Sequence, residues 1–210
     1  MKKGFTLAEV LITLGIIGVV AALTLPGLIA SYKKKALETR IKKFYSVLNQ
    51  AYKMKIAQDE ALDASMLTAV GDPDIMLDFF NKNYASFMKT IAVEKMDKGL
   101  AVGFLDGSGM YLLKDYAGGT SSQSTSDTYI LFCVSYKNCK KLDETNFSSM
   151  RNIASDGKEV FTFYTSGNIP TVGWDGTREW LLERCQNVNR QSCTTLLWYD
   201  GWEVKDDYPW

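Results

Sequence analysis

The feature that most constrains this chain is a run of 26 residues, 5–30, reading FTLAEVLITLGIIGVVAALTLPGLIA. It holds one charge, Glu9, one proline, Pro26, and otherwise only apolar, small or hydroxyl residues. At about 1.5 Å per residue, a helix of this length covers the roughly 30 Å hydrocarbon core of a bilayer with a little to spare. The run follows directly on MKKG.

Three fates fit such a segment. A cleaved secretory signal peptide has a short basic start, an apolar region of about 7–15 residues and a small-x-small cleavage site. Lys2 and Lys3 supply the start, but the apolar run is too long and Glu9 is misplaced near its beginning. A plain membrane anchor explains the length and leaves Glu9 without a task. In the third fate the membrane only stores the helix, which later packs against copies of itself. An ionised acid inside a membrane segment is costly and usually marks function and a partner. The alternative for Glu9 is local: an acid in the first helical turn suits the helix dipole. Its position favours the partner. A cut between Gly4 and Phe5 leaves a new amino group one helical turn from Glu9. Amine and carboxylate then share one end of an apolar rod, where each neutralises the other or the same groups on a neighbouring rod.

The string KKG-FTLAEVLITLGIIGVVAALTLP resembles the amino-terminal segment of type IV prepilins and type II secretion pseudopilins. The resemblance implies that a membrane aspartyl peptidase cuts after Gly4 and that Phe5 is N-methylated. Gly4, Phe5 and Glu9 match the family's glycine, phenylalanine and glutamate, and Pro26 matches a proline around which the helix loosens in assembled filaments. A weaker likeness lies at residues 155–170, SDGKEVFTFYTSGNIP, which is similar to a pseudopilin stretch where an aromatic strand precedes a Gly-x-x-Pro turn. The ending DGWEVKDDYPW is similar to endings common in pilin-like proteins.

The function implied is that of a structural subunit of a type IV pilus or type II secretion pseudopilus, not an enzyme. Its implied partners are other pilin subunits, prepilin peptidase, inner-membrane assembly machinery and the membrane. The implied location is the bacterial inner membrane, crossed once, with the globular domain extracytoplasmic, and then a periplasmic or cell-surface filament. The rival is a membrane-anchored extracytoplasmic binding protein that never polymerises.

Composition narrows the rest. There are 24 basic and 24 acidic residues and no histidine. Loss of MKKG removes two lysines and leaves 22 basic against 24 acidic residues, a net −2. That balance argues against nucleic acid as a partner. Without histidine, Ser-His-Asp and Cys-His catalysis and the commonest zinc sites are excluded. The four cysteines, Cys133, Cys139, Cys185 and Cys193, allow three connectivities. Their short separations within pairs favour 133–139 and 185–193. Neither spacing is C-x-x-C, so disulfides of an exported domain are preferred to a redox or zinc motif.

The expected fold is α+β: a long amino-terminal transmembrane and amphipathic helix packed on a small antiparallel sheet, in a pilin-like arrangement. The expected divisions are a leader at 1–4, a membrane or filament-core helix at 5–30, its amphipathic continuation at 31–58 and a globular domain at 59–210. Leu37, Ile41, Phe44, Tyr45, Leu48, Tyr52 and Ile56 recur at helical spacing and form one apolar stripe. Lys33, Lys34 and Lys35 after the span, counted with the basic residues that follow, place the domain in the cytoplasm by the positive-inside rule. The leader and the cysteines outweigh that count.

Asp72-Pro73 starts a short helix to Asn83. The stretches 100–105 and 110–113 flank a hairpin turn at Asp106-Gly107. Residues 128–134, 160–165 and 193–199 read as strands, 116–127 as a loop, and 180–185 as a helical turn. Asp106, Asp156, Asp175, Asp200, Asp206 and Asp207 have calcium-binding oxygens, but no EF-hand spacing is present and Asp-Gly is first a turn signal. No metal site and no cofactor is therefore expected, calcium being the one candidate. The aromatic residues Trp198, Tyr199, Trp202, Tyr208 and Trp210 suit either a small core or a binding surface. Gly15 and Gly18 offer close helix approach, without G-x-x-x-G spacing.

Overall fold

A computed structural model describes residues 6–58, 72–114, 128–142, 155–166, 169–173, 175–188 and 190–210. The expected loop at 116–127 and the leader at 1–4 lie outside them. The chain divides into two compact units, 1–37 and 38–210. Helix α1, Leu7–Ala57, contributes residues to both.

In the larger unit, α2 (Pro73–Asn83) precedes the strands β1 (Thr90–Met96), β2 (Gly99–Phe104), β3 (Gly109–Lys114) and β4 (Thr128–Cys133). There follow α3 (Tyr136–Lys141), β5 (Val160–Ser166), β6 (Ile169–Thr171), α4 (Arg178–Asn187) and α5 (Ser192–Tyr199). The strands form a six-stranded antiparallel meander in chain order. The α+β architecture is thus the one the sequence predicts, with more strands than periodicity alone reveals.

Both faces of the sheet are covered, so its central strands read as unbroken apolar runs. On one face Phe44 of α1 meets the rings of Phe104, Phe132 and Phe163 at 5.9, 4.8 and 5.4 Å. Ile41, Leu48 and Ala51 extend this buried side of α1. On the other face Ala101, Tyr111, Leu131 and Val160 pack with Leu142 and the Cys133–Cys139 pair. Gly103 and Gly109 admit the Tyr136 ring on that face: a Cβ would stand 3.1 and 2.9 Å from it.

The amphipathic stripe needs one correction. Ile56 is exposed, while Lys55 is buried. The buried series 41, 44, 48, 51 advances by three and four residues, so its next member is 55. A lysine is compatible with such a position because its stem is aliphatic. The second helix forms as expected: the Asp72 carboxylate accepts from the N–H groups of Asp74 and Ile75 at 2.9 and 3.3 Å.

The second correction concerns 193–199, which is helix and not a strand. Ser192 to Leu197 are all buried, the hydroxyl residues Ser192, Thr194 and Thr195 among them, and a short run buried all round has no periodicity to tell helix from strand. The helix also completes the sheet. Strand β6 pairs with β5 only at Tyr164, Thr165 and Ser166. The N–H of Thr162, beyond its reach, donates to Thr194 Oγ1 of α5 at 3.1 Å. The aromatic strand followed by Gly-x-x-Pro is a hairpin of β5 and β6, with Pro170 in the outermost strand, where a missing N–H is tolerated.

Candidate functional site

The smaller unit holds the start of helix α1. From Leu7 to Ile29 its leucines, isoleucines and valines are exposed. Among the described residues it is the one helix long and apolar enough to cross a membrane. Two of its hydroxyls turn back on the helix: Thr13 Oγ1 donates to the Val10 carbonyl and Thr24 Oγ1 to that of Val20, each at 2.9 Å. Pro26 lies inside the helix. Having no N–H, it leaves the carbonyl four residues before it without the usual partner. A Cβ on Gly15, Gly18 or Gly27 meets nothing within 4 Å, so no packing within the described chain requires glycine there.

Glu9 closes the start of this helix. The N–H of Thr6 donates to Glu9 Oε2 at 2.9 Å and the Thr6 hydroxyl to the same oxygen at 2.8 Å. In return the N–H of Glu9 donates to Thr6 Oγ1 at 3.3 Å. This is a reciprocal capping box, Thr-x-x-Glu, satisfying two groups that a helix start leaves unpaired. The local alternative for Glu9, a first-turn acid, has its place in the structure, and the Thr6 partner that completes it is a signal the sequence carried in Thr6-x-x-Glu9. Gly4 and Phe5 lie outside the described residues.

In the larger unit Cys133 bonds to Cys139 and Cys185 to Cys193. The first pair joins the end of β4 to α3; the second ties α4 to α5. Against the second pair rests the Asp156-Gly157 turn. The Asp156 carboxylate accepts from the N–H groups of Lys158, Glu159 and Val160 at 2.8, 2.7 and 2.9 Å. Gly157 has φ +70°, and a Cβ there would lie 2.7 Å from Cys193 Sγ. The Tyr208 hydroxyl donates to its carbonyl at 2.6 Å.

The acids weighed as calcium ligands are not gathered. Among the described residues no three acids, cysteines or histidines stand together as a metal cage. Asp106 accepts from the N–H of Ser108 within its turn. Burial works against its charge, but hydrogen bonds from Ser108 and the nearby positive charges of Lys43 and Arg40 hold its carboxyl below the usual range. Asp200 and Asp207 are both held by Arg178. The aromatic residues divide: Trp202 and Tyr208 are buried, Trp202 against Tyr45 and Phe163, while Trp198 and Tyr199 stand exposed.

Comparison with known families gives two matches. A model described as a family of unknown function (DUF6613) matches residues 27–210. A model of the prokaryotic N-terminal methylation motif matches residues 1–25, the prepilin-type cleavage and methylation signal of type IV pilins and pseudopilins. No curated protein matches the chain, and no solved structure does.

Proposed function

The chain belongs to the family of unknown function DUF6613 and opens with the prepilin-type methylation signal, and from these we propose that it is a structural subunit of a bacterial filament. In this reading it is cleaved after Gly4, N-methylated at Phe5, and stored in the inner membrane through residues 5–30. The globular domain lies outside the cytoplasm, where the two disulfides persist. Assembly moves the apolar helix from lipid into contact with the same helix of other subunits, in a type IV pilus or type II secretion pseudopilus. The carrying observation is the match of the methylation motif to residues 1–25, together with the exposure of the leucines, isoleucines and valines of α1 from Leu7 to Ile29.

The glutamate has two tasks in this account. In the free subunit its carboxylate is satisfied by Thr6. In the filament one lone pair set remains for the Phe5 amine of a neighbour, since a carboxylate accepts several hydrogen bonds. The pair is strengthened by the low dielectric and weakened by desolvation, so apolar contacts supply adhesion and the pair sets axial register. The capping box also favours a second reading, a membrane-anchored binding protein that does not polymerise, because it gives Glu9 a purpose without any partner.

Replacement Gly4→Leu tests the processing step. The expected outcome is a chain that keeps its leader on gel mobility and mass. Normal maturation of Gly4→Leu contradicts the reading at its root.

A further inference from the structure

A cavity of about 370 Å³ opens in the larger unit between α1, the turn after α2 and the β2–β3 hairpin. Phe44, Phe104 and Leu105 give it an apolar lining. Arg40, Lys43 and Lys89 border it; Lys43 is paired with the single acid of the lining, Asp106, at 3.7 Å, and Arg40 also donates to the Val134 carbonyl at 3.2 Å, so the border keeps an excess of two positive charges. Leu105 of this lining is 71% exposed, so the apolar floor reaches the surface. A site of this size with a basic border and an apolar floor suits an aromatic group accompanied by negative charge.

The chain carries such a group on a different surface. Trp198 and Tyr199 are 46% and 52% exposed at the end of α5. Glu203 and Asp206, both exposed, follow within the next seven residues. The neighbouring acids Asp200 and Asp207 are neutralised by Arg178 and Lys205, so Glu203 and Asp206 set the local charge. Neither Trp198 nor Tyr199 lines the cavity. A contact between two different surfaces of identical subunits is heterologous and, when it does not close, propagates as a helical filament. Tryptophan and tyrosine seated in pockets are also the residues that most often dominate an interface.

We propose that the cavity of one subunit receives Trp198 and Tyr199 of a second copy, with Glu203 and Asp206 set against Arg40, Lys43 and Lys89. The proposal rests on the filament reading and adds to it a contact between globular domains. The helices then hold the filament axis, and this contact fixes the rotation of each subunit on the last.

The test uses the full chain, processed in cells, as membrane-extracted and as filament-borne protein. A zero-length carbodiimide joins amines to carboxylates that touch, and mass spectrometry identifies the joined peptides. The expected product links Lys43 or Lys89 to Glu203 or Asp206 of another copy, shown by mixing isotope-labelled and unlabelled subunits. Trp198→Ala and the surface change Leu105→Asp are each expected to lower the filament-borne fraction about tenfold. Lys89→Glu lowers it about fivefold, and Asp206→Lys in the same chain restores it. Filaments that form without the cross-link, with Leu105→Asp and Trp198→Ala at wild-type levels, overturn the contact and leave the filament reading intact. Absence of filaments from the wild type refutes the filament reading instead. The contact then stands or falls on the cross-link in membrane-extracted protein.

Discussion

Arg178 offers the sharpest test of how the carboxy-terminal part is held. Its Nε and Nη2 donate to the two oxygens of Asp200 at 2.7 and 2.9 Å. Nη1 and Nη2 donate to Asp207 at 2.8 Å each. One guanidinium at the start of α4 thus ties the end of α5 to the tail. The Asp200 side chain is only 1% exposed, and Lys205 Nζ adds a third donor at 2.8 Å. Replacement Arg178→Met leaves that buried carboxylate with lysine alone. Removing one partner of a buried pair costs about 3–5 kcal/mol. Lys205 remains and Arg178 is 21% exposed, which reduces the figure to about 2–3 kcal/mol. For a domain of this size, the melting midpoint should fall by about 4–12 °C.

The assay is thermal unfolding of the detergent-solubilised full chain, disulfides intact, followed by near-ultraviolet circular dichroism. The control is Asp200→Asn, which removes the buried charge, so that Arg178→Met in that background costs little. The sign of the pH dependence is fixed by the same contacts. Burial raises the pKa of Asp200, but hydrogen bonds from Arg178 and Lys205 outweigh it and hold the carboxyl below its ordinary value. The unfolded chain therefore takes the proton first. The stabilisation is complete above the unfolded value of about 4 and is lost as pH falls through the lower folded one. Asp200→Asn lacks this component of the acid-side loss. A fall of less than about 2 °C for Arg178→Met, or an equal fall in both backgrounds, refutes the reasoning.

Two further predictions follow from the helix start and the second disulfide. Glu9→Gln keeps an N3 acceptor for the capping box and removes the charge, so the leader should still be cleaved while the ratio of filament-borne to membrane-borne protein drops clearly; equal ratios make Glu9 only a cap residue. Glu9→Ala loses the cap as well. Non-reducing peptide mapping of exported protein should find Cys133–Cys139 and Cys185–Cys193, and Cys185→Ser with Cys193→Ser should destabilise the domain by about 2–3 kcal/mol in urea, from the loop closed by a separation of 8 residues; four free thiols in exported protein contradict the assignment.

Much of this architecture was legible wherever a local pattern has one physical meaning. The long apolar run, the Asp72-Pro73 helix start and the Asp106-Gly107 hairpin each require the structure they form. The pattern failed where burial is two-sided. Residues 192–199 hide every side chain from Ser192 to Leu197, so neither period appears, and only the unfinished edge of β5 calls for a helix there. Strand β1 was missed because its alternation is between half-buried and exposed residues, with charges at Glu94 and Lys95 blunting its outer edge. Lys55 shows the same limit in one residue: a lysine at a buried position reads in the sequence as part of the solvent side. At the amino terminus the motif residues were all legible, and what sequence reading overlooked was the engagement of Glu9 by Thr6.

The central claim is that this chain is processed as a pilin-type subunit, and the mature amino terminus tests it most directly. The measurement is mass spectrometry of the amino-terminal peptide of the protein taken from the membrane of its native host. The account predicts a peptide that starts at Phe5 and carries a methyl group on its amine. An intact Met1, or a chain that starts beyond the apolar run, contradicts it.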